Sequence, residues 1–258
     1  MMTTEQNPAQ DAGGLDAYEP FVSAHGRAMV VVALFVVYVA VSVCSVAVNF
    51  MRLAMSPVML GGDGPEEQVS LADVLQLLVG IGNLLVYVSL VVAFLVWLHR
   101  ASRNVPALGN PKSKVEFTPG WAVGWFFIPF ANLVMPYRAV REVWEKSDPA
   151  VRTQQDVMFT PPSSGGLLLG WWVAWVASNV LSNASMRLQG AADTPEALRW
   201  TAGLDLVADL VGILAAALAI LVVRGIDRRQ QERSRHVVYL PHRPPPPPVF
   251  TPQPDAQP

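Results

Sequence analysis

Cysteine is nearly absent from this sequence, in which Cys44 is the only one. A lone cysteine excludes an intrachain disulfide framework and a multi-cysteine metal site. Charge is scarce too: Asp, Glu, Lys and Arg make up 15% of the 258 residues, whereas soluble domains carry about 25%. Together with 52% hydrophobic residues, this composition excludes an ordinary soluble enzyme. The net charge of −2 gives no basis for a nucleic-acid partner.

The sequence signatures of catalysis and of cofactor binding are missing as well. There is no GxxxxGKS or GxxxxGKT phosphate loop and no HExxH sequence, and GIGNLL departs from GxGxxG at its third glycine. The four histidines never reach the spacing of metal ligands within an apolar stretch. We therefore predict that the protein is not an enzyme and that it uses no cofactor and no metal.

Charge is almost excluded from five apolar stretches, whose only charged residues are Asp205 and Asp209. Each stretch is long enough to cross a membrane, because about 20 apolar residues in a helix span a hydrocarbon core of ~30 Å. The stretches are residues 28–51, 74–98, 117–137, 165–186 and 200–223.

The positions of Lys and Arg indicate which stretches cross. If the third stretch does not cross and the N terminus is inside, 15 of the 18 Lys and Arg lie on the inner side. With five crossings, the better orientation places only 11 of them inside. The positive-inside rule therefore favours four crossings, with both termini cytoplasmic.

Proline explains why the third stretch would not cross. Pro119, Pro129 and Pro136 interrupt it, and an interior proline removes a helix hydrogen bond and clashes with the preceding turn. Broken backbone at membrane depth requires burial in protein or contact with water. We predict a re-entrant or interfacial helix over 117–137.

Two basic surfaces are predicted next to the inner leaflet. Residues 138–147 form an amphipathic pattern suited to a helix on the membrane surface. The arginines after residue 223 would attract anionic lipids, or they would serve only as a topology signal. The predicted residues for contact with the membrane surface or with a partner are Arg138, Arg141, Trp144, Arg224, Arg228 and Arg229.

The predicted fold class is an all-α, multi-pass integral membrane protein with four transmembrane helices and one proline-broken helix. Residues 1–27 are predicted to form a disordered tail, residues 28–235 the membrane domain, and residues 236–258 a disordered, proline-rich tail. The five prolines from Pro244 to Pro248 favour polyproline II. This tail would contact a cytoplasmic protein partner, or it would be a solvated tether.

Polar residues inside the spans are the most informative feature of the sequence. Ser42, Ser45 and Asn49 share one helix face, as do Asp205 and Asp209. Such groups are costly in a membrane and often mark a site, although they can also hydrogen bond helices to one another. The predicted cluster, in the outer half of the bundle, comprises Asn49, Asn83, Asn179, Asn183, Asp205 and Asp209.

Most of the eight tryptophans lie near the predicted ends of the spans. Tryptophan is enriched at membrane–water interfaces, so we predict interfacial anchors rather than a cage around a ligand. The predicted anchors are Trp97, Trp121, Trp144, Trp171, Trp172 and Trp200.

Four segments together resemble a known family. They read FLVWLHRASRNVPALG, PGWAVGWFFIPFANLVMPYRAVREVWEKSDP, LLLGWWVAWVASNVLS and VVRGIDRRQ. They resemble the bacterial membrane-protein family called domain of unknown function 4328, over residues 74–231. The resemblance implies a multi-pass inner-membrane protein of bacteria and supplies no catalytic residue or cofactor.

Two function classes follow from these patterns. The first is a structural or interaction protein of the cell envelope, whose cytoplasmic surface and proline-rich tail contact partners. The alternative is a small transporter, channel or sensor that uses the polar cluster. The first hypothesis predicts that function depends on the tail and the Trp144 surface, and the second that it depends on Asp205, Asp209 and Asn183.

Overall fold

The structure is a computed structural model, which describes residues 21–61, 66–108, 115–150, 165–189 and 194–236. These residues form helices, turns and bends, and no strand occurs among them, so the all-α prediction is confirmed for this part of the chain. Residues 1–20 and the proline-rich segment after residue 236 lie outside the described residues.

The described residues form six successive α-helices, with two short 3₁₀ turns between the third and the fourth. The helices are α1 (His25–Gly61), α2 (Glu66–Ala107), α3 (Pro119–Gly124), α4 (Met135–Lys146), α5 (Gly165–Gln189) and α6 (Pro195–Ser234), and the 3₁₀ turns are Trp125–Phe127 and Ala131–Leu133. At 1.5 Å per residue the 42 residues of α2 extend roughly 60 Å. The longest helices therefore exceed the ~30 Å thickness of a hydrocarbon core.

Three of the described helices are long and apolar enough to cross a membrane, not four as the sequence predicts. The apolar segments are His25–Met51 in α1, Leu77–Ala107 in α2 and Arg199–Ser234 in α6. Helix α5 covers the fourth predicted span but does not qualify. The physical reason is its composition, because Trp171, Trp172, Trp175, Asn179 and Asn183 lower its mean hydropathy.

Helix α6 is the common packing partner in the bundle. It packs along α1 and α5, and α2 packs along α1. Val31, Leu98, Val223 and Ile226 are fully buried where these helices meet. Within the described ranges α2 and α5 do not pack along each other, so the bundle has a gap on that side.

The start of α1 and the ends of α2 and α6 meet at one end of the bundle, which we call the basic end because Arg100, Arg103, Arg224 and Arg228 lie there. The backbone of Val22 accepts a hydrogen bond from Asn104 Nδ2 at 2.9 Å, and Ala24 is buried. Residues 21–27 are thus packed against α2 or already helical, and the predicted disordered tail over 1–27 is wrong for these residues.

The proline-rich segment over 117–137 is broken, as its sequence predicts. Thr118 caps α3 by accepting a hydrogen bond from the Trp121 backbone, with Pro119 in the first turn. The chain then turns at Phe130, whose φ of 64° is rarely adopted by L-residues. Trp172 Nε1 donates to Leu133 O at 2.9 Å, which fastens the broken segment to α5.

Helix α4 packs inward rather than lying free on a surface. Ala139, Val140, Val143 and Trp144 are buried on one face, so the amphipathic pattern is directed at the protein. The Trp144 ring lies against Gly225, where a Cβ would be 2.4 Å from a ring carbon. Arg229 covers the ring with its guanidinium carbon 4.2 Å from the centroid. Trp144 is therefore not an exposed contact residue, contrary to the sequence prediction.

Substitution of Gly225 by alanine tests this close approach. A methyl group would collide with a ring that Arg229 holds in place, and overpacking costs ~1–3 kcal/mol. The better helix propensity of alanine contributes only about 1 kcal/mol in return. We expect Gly225→Ala to lower the melting temperature of the protein in detergent.

Gly203→Ala is the matched control, because Gly203 lies in the same helix and a Cβ there meets nothing within 4 Å. This variant should melt at or above the wild-type temperature. Equal melting temperatures for the two variants would show that Trp144 does not pack on Gly225.

Candidate functional site

A cavity of about 700 Å³ lies between α1, α2, α5 and α6. It occupies the gap that remains because α1 and α5 both pack on α6 while α2 packs on α1. Small-molecule sites have volumes of about 300–1,000 Å³, so the cavity is large enough for a ligand. Its side chains divide into an aromatic group and a polar group.

The aromatic part of the cavity is built from α2, α5 and the broken segment. Phe94 lies 6.0 Å from Trp171 and 6.0 Å from Phe126, measured between ring centroids. Trp172 stacks on Trp175 at 4.8 Å. All five rings line the cavity, and together they form an apolar, polarisable wall.

These positions correct the prediction that the tryptophans are interfacial anchors. Trp97, Trp171 and Trp172 have exposed fractions of 0%, 4% and 5% and belong to the core. Trp121 and Trp200 are exposed, in keeping with the prediction. Nearness to the end of an apolar stretch shows where a tryptophan lies along a helix, but not whether its ring points toward lipid or toward the bundle.

Asp209 is the centre of the polar part. Its Oδ2 accepts a hydrogen bond from Asn49 Nδ2 at 3.0 Å, and the Ser45 side chain also hydrogen bonds to it. Ser42, one turn before Ser45, hydrogen bonds to Tyr38. The polar face predicted for the first span therefore meets Asp209 of α6, and Asn49 and Asp209 are brought together.

Asn179 and Asn83 lie on the other side of the cavity. Tyr87 Oη donates to Asn179 Oδ1 at 3.4 Å and so links α2 to α5. Asn179 Nδ2 donates to the backbone of Trp175 at 2.7 Å. Asn83 lines the cavity, and its Oδ1 is buried without a hydrogen-bond partner in the described part of the chain.

The remaining two residues of the predicted cluster lie outside the cavity. Asn183 is exposed and donates to the backbone of Asn179 at 2.8 Å. Asp205 accepts a hydrogen bond from Gln189 at 2.7 Å, which joins the ends of α5 and α6. The structure therefore gathers Asn49, Asn83, Asn179 and Asp209 at one site and leaves Asn183 and Asp205 beside it.

Tyr38 and Tyr87 belong to the polar part but were not selected from the sequence. Gly212 permits the approach of Tyr38, since a Cβ there would be 2.9 Å from its Oη. A usable signal existed: Tyr38 precedes Ser42 by one helical turn, on the face that continues to Ser45 and Asn49. Tyr87 lies far from either end of its predicted span. A tyrosine at such a position is not explained by anchoring at a membrane interface.

The arginines predicted to contact the membrane surface have different surroundings. Arg138 pairs with Glu116 at 2.5 Å, and Arg229 pairs with Asp148 at 3.1 Å. Arg141 pairs with Glu145 at 2.8 Å. The hydrogen bond from Arg141 to Glu145 and the negative charge of Glu145 raise the pKa of Arg141. Arg224 and Arg228 are exposed at the basic end.

A buried polar network at the basic end was not found from the sequence. Gln230 donates through Nε2 to Ala101 O at 2.8 Å and to Ser147 Oγ at 3.2 Å. Its Oε1 accepts from Asn104 at 3.2 Å. We call this set of contacts the Gln230 clasp, because it joins α2, α4 and α6.

A second buried group reinforces the clasp. Arg233 Nε donates to Leu108 O at 2.8 Å, and its guanidinium also reaches the backbone oxygen of Asp148. These contacts satisfy carbonyl groups at the ends of two helices, where no intrahelical donor remains. Gln230 and Arg233 therefore have structural roles.

The described residues contain no group of three or more His, Cys, Asp or Glu side chains placed to hold a metal ion. The cavity combines one carboxylate, several amide and hydroxyl groups and an aromatic wall. This chemistry is suited to binding an organic molecule that has both a polar and an apolar part.

Comparison with known proteins bears on the family of the chain. The model of the family described as "Domain of unknown function (DUF4328)" matches residues 62–228, and this range includes the cavity walls contributed by α2, α5 and α6. Neither a curated protein nor a solved structure matches the chain. The matched range covers well over half of the 258 residues and confirms the resemblance seen in the sequence. The chain therefore belongs to the DUF4328 family.

Proposed function

We propose that this protein is a multi-pass membrane protein that binds an amphiphilic small molecule in the cavity between α2 and α5. The proposal is based on the cavity, which has a volume of about 700 Å³ and is lined by an aromatic wall and a polar cluster around Asp209. A sensor or a small transporter would use such a site. The proposal is a binding role, not a catalytic one.

Insertion into the bilayer is supported by the outer surface of the bundle. Large apolar side chains such as Val43, Leu85, Val92 and Leu221 are more than half exposed. Soluble proteins rarely expose apolar patches of more than a few hundred Å². We propose that these side chains face lipid.

Helix α5 enters the bilayer, in this proposal, because it packs on α6. Its outward residues Leu169, Val173 and Val180 are more than half exposed. Its polar residues Ser178 and Asn179 instead line the cavity. The mean hydropathy of α5 averages over the outward residues and the cavity-lining residues, although only the outward residues would contact lipid.

The broken segment would lie at the interface on the cytoplasmic side. Phe127, Phe130 and Val134 are exposed and apolar, and the two ends of the segment meet in the Glu116–Arg138 ion pair. A segment that leaves and returns at the same end of the bundle is suited to shallow insertion. Arg224 and Arg228, exposed at that end, would contact anionic headgroups.

Both termini would be cytoplasmic in the inner membrane, and the structure is compatible with the arginine distribution. The start of α1 and the ends of α2 and α6 meet through hydrogen bonds of Asn104 to Val22 and Gln230. The described arginines near these helix ends, such as Arg100, Arg224 and Arg228, therefore lie at one end of the bundle, as the positive-inside rule requires.

Cysteine labelling tests this orientation. In a Cys44→Ser background, Ser23→Cys lies exposed at the basic end and Arg187→Cys lies exposed at the opposite end. We expect an impermeant thiol reagent to label Arg187→Cys in intact cells and Ser23→Cys only after permeabilisation. Labelling of Ser23→Cys in intact cells would contradict a cytoplasmic N terminus.

The hypothesis of a structural or interaction protein depends on the proline-rich tail, which lies outside the described residues, and on a Trp144 surface that is buried. The cavity instead favours the hypothesis of a transporter or sensor. Because the cavity has one compact location, its contribution to binding can be tested by filling it.

The binding test uses three amphiphiles of equal chain length, a primary amine, an alcohol and a carboxylic acid, each brominated at the end of the chain. Bromine quenches tryptophan fluorescence on contact, and Trp171, Trp172 and Trp175 line the cavity. We expect saturable quenching by at least one probe. Ala216→Phe, which places a ring in the cavity, should weaken that binding about tenfold or more, equivalent to ~1.4 kcal/mol.

Ala217→Phe is the matched control, because Ala217 is the next residue on α6 and faces outward. This variant should bind like the wild type, and both variants should retain the wild-type melting temperature within a few degrees. If saturable quenching is absent, or if Ala216→Phe binds the probe as tightly as the wild type does, the proposed binding function is wrong.

A further inference from the structure

The only charge contributed to the cavity by the described residues is negative. Asp209 is the one charged side chain among the described residues that line it. The groups placed around its carboxylate are Asn49, Ser45 and Tyr38, with Asp205 one turn earlier on the same helix. No basic side chain in the described part of the chain forms an ion pair with Asp209.

The hydrogen-bonding capacity left over near the cavity is also one-sided. Asn83 Oδ1 belongs to a residue that lines the cavity, and Asn49 Oδ1 lies on the residue that binds Asp209. Both are buried acceptors without a partner among the described residues. A buried acceptor that lacks a donor costs free energy, so the site is suited to a ligand that donates hydrogen bonds.

Two tyrosines complete this end of the cavity. Tyr38 and Tyr87 both line it, and each is contributed by a different helix. Aromatic rings attract an ammonium group that lies within about 6 Å of their centroid. A carboxylate, several acceptors and two aromatic rings are the surroundings that a cationic head group requires.

Resting on the binding function proposed above, we infer that the ligand is a long-chain amine whose ammonium group pairs with Asp209. Its apolar chain lies along the aromatic wall that includes Trp171, Trp172 and Phe94. The ammonium supplies the positive charge and the donors that the polar end lacks. Asn49 and Ser45 hold the carboxylate in place through their own hydrogen bonds to it.

Other head groups fit the same surroundings less well. An anionic head group would place a second negative charge beside Asp209, with Asp205 near it, and like charges at short range repel. An alcohol would donate a hydrogen bond but would leave the carboxylate without a counter-ion in a membrane interior, where an unpaired charge is costly.

Comparison of the three brominated probes tests the inference. The full-length protein in nanodiscs of zwitterionic lipid is titrated with each probe at neutral pH, and tryptophan quenching gives the dissociation constants. We expect the amine to bind about tenfold or more tightly than the alcohol and the acid. Asp209→Asn should weaken amine binding by about tenfold or more, as expected for loss of a charge-assisted bond, and should remove the preference for the amine over the alcohol.

Asp205→Asn is the matched control. It also removes one negative charge, but Asp205 lies one helical turn before Asp209 and does not line the cavity. It should change amine affinity less than about threefold. Asp209→Glu keeps the carboxylate and should keep the preference for the amine, which separates loss of the charge from damage to the fold.

The inference is wrong if the three head groups bind equally, or if Asp209→Asn weakens amine binding no more than Asp205→Asn does. In either case the cavity proposal stands as long as Ala216→Phe still weakens probe binding about tenfold or more. If Ala216→Phe has no effect, the proposed function fails, whatever the head-group preference. Loss of binding in Asp209→Glu as well as Asp209→Asn would also contradict the ion pair.

Discussion

The side-chain amide of Gln230 is the interaction on which the arrangement of the helices depends. Through it α6 is joined to the backbone of Ala101, to Asn104 and to Ser147, so the ends of three helices are fastened at the basic end. Gln230 is almost fully buried, and loss of the Asn104 or the Ser147 side chain would leave a buried polar group unsatisfied, at a cost of about 1–3 kcal/mol. The clasp holds the end of α2 against the bundle, although α2 does not pack along α5.

The cavity follows from that constraint. Because α2 is held by the clasp and by α1, its remaining length is not required to close against α5. The Tyr87–Asn179 hydrogen bond, at 3.4 Å, is the link between the two helices at the polar end, and the Phe94–Trp171 contact joins them at the aromatic end. If the bundle spans a membrane, as proposed, a space bounded by only two such contacts would admit a molecule from the bilayer. The separation of its aromatic and polar walls matches an amphiphile.

Periodicity predicted part of this site, because it depends on local spacing. Ser45 and Asn49 are four residues apart and therefore lie on the same face of α1. That face contacts Asp209, which agrees with the expectation that polar side chains within an apolar helix find polar partners. Periodicity could not predict that Asn183 and Asp205 lie beside the cavity, because their positions depend on how α5 and α6 are rotated against each other. It also could not predict that Trp144 is buried, since the space it occupies is created by the missing side chain of Gly225 in a distant part of the sequence. The polar residues Ser178 and Asn179, which lower the mean hydropathy of α5, line the cavity.

Photolabelling can show whether the cavity between α2 and α5 holds an amphiphile. A long-chain amine with a photoactivatable group in its chain would be crosslinked to the protein in nanodiscs, and the labelled residues identified by mass spectrometry. We expect labelling at Phe94, Trp175 and Ala216 that an excess of unlabelled amine suppresses. Labelling confined to outward-facing residues such as Val43, Val180 and Leu221, and insensitive to that excess, would contradict it.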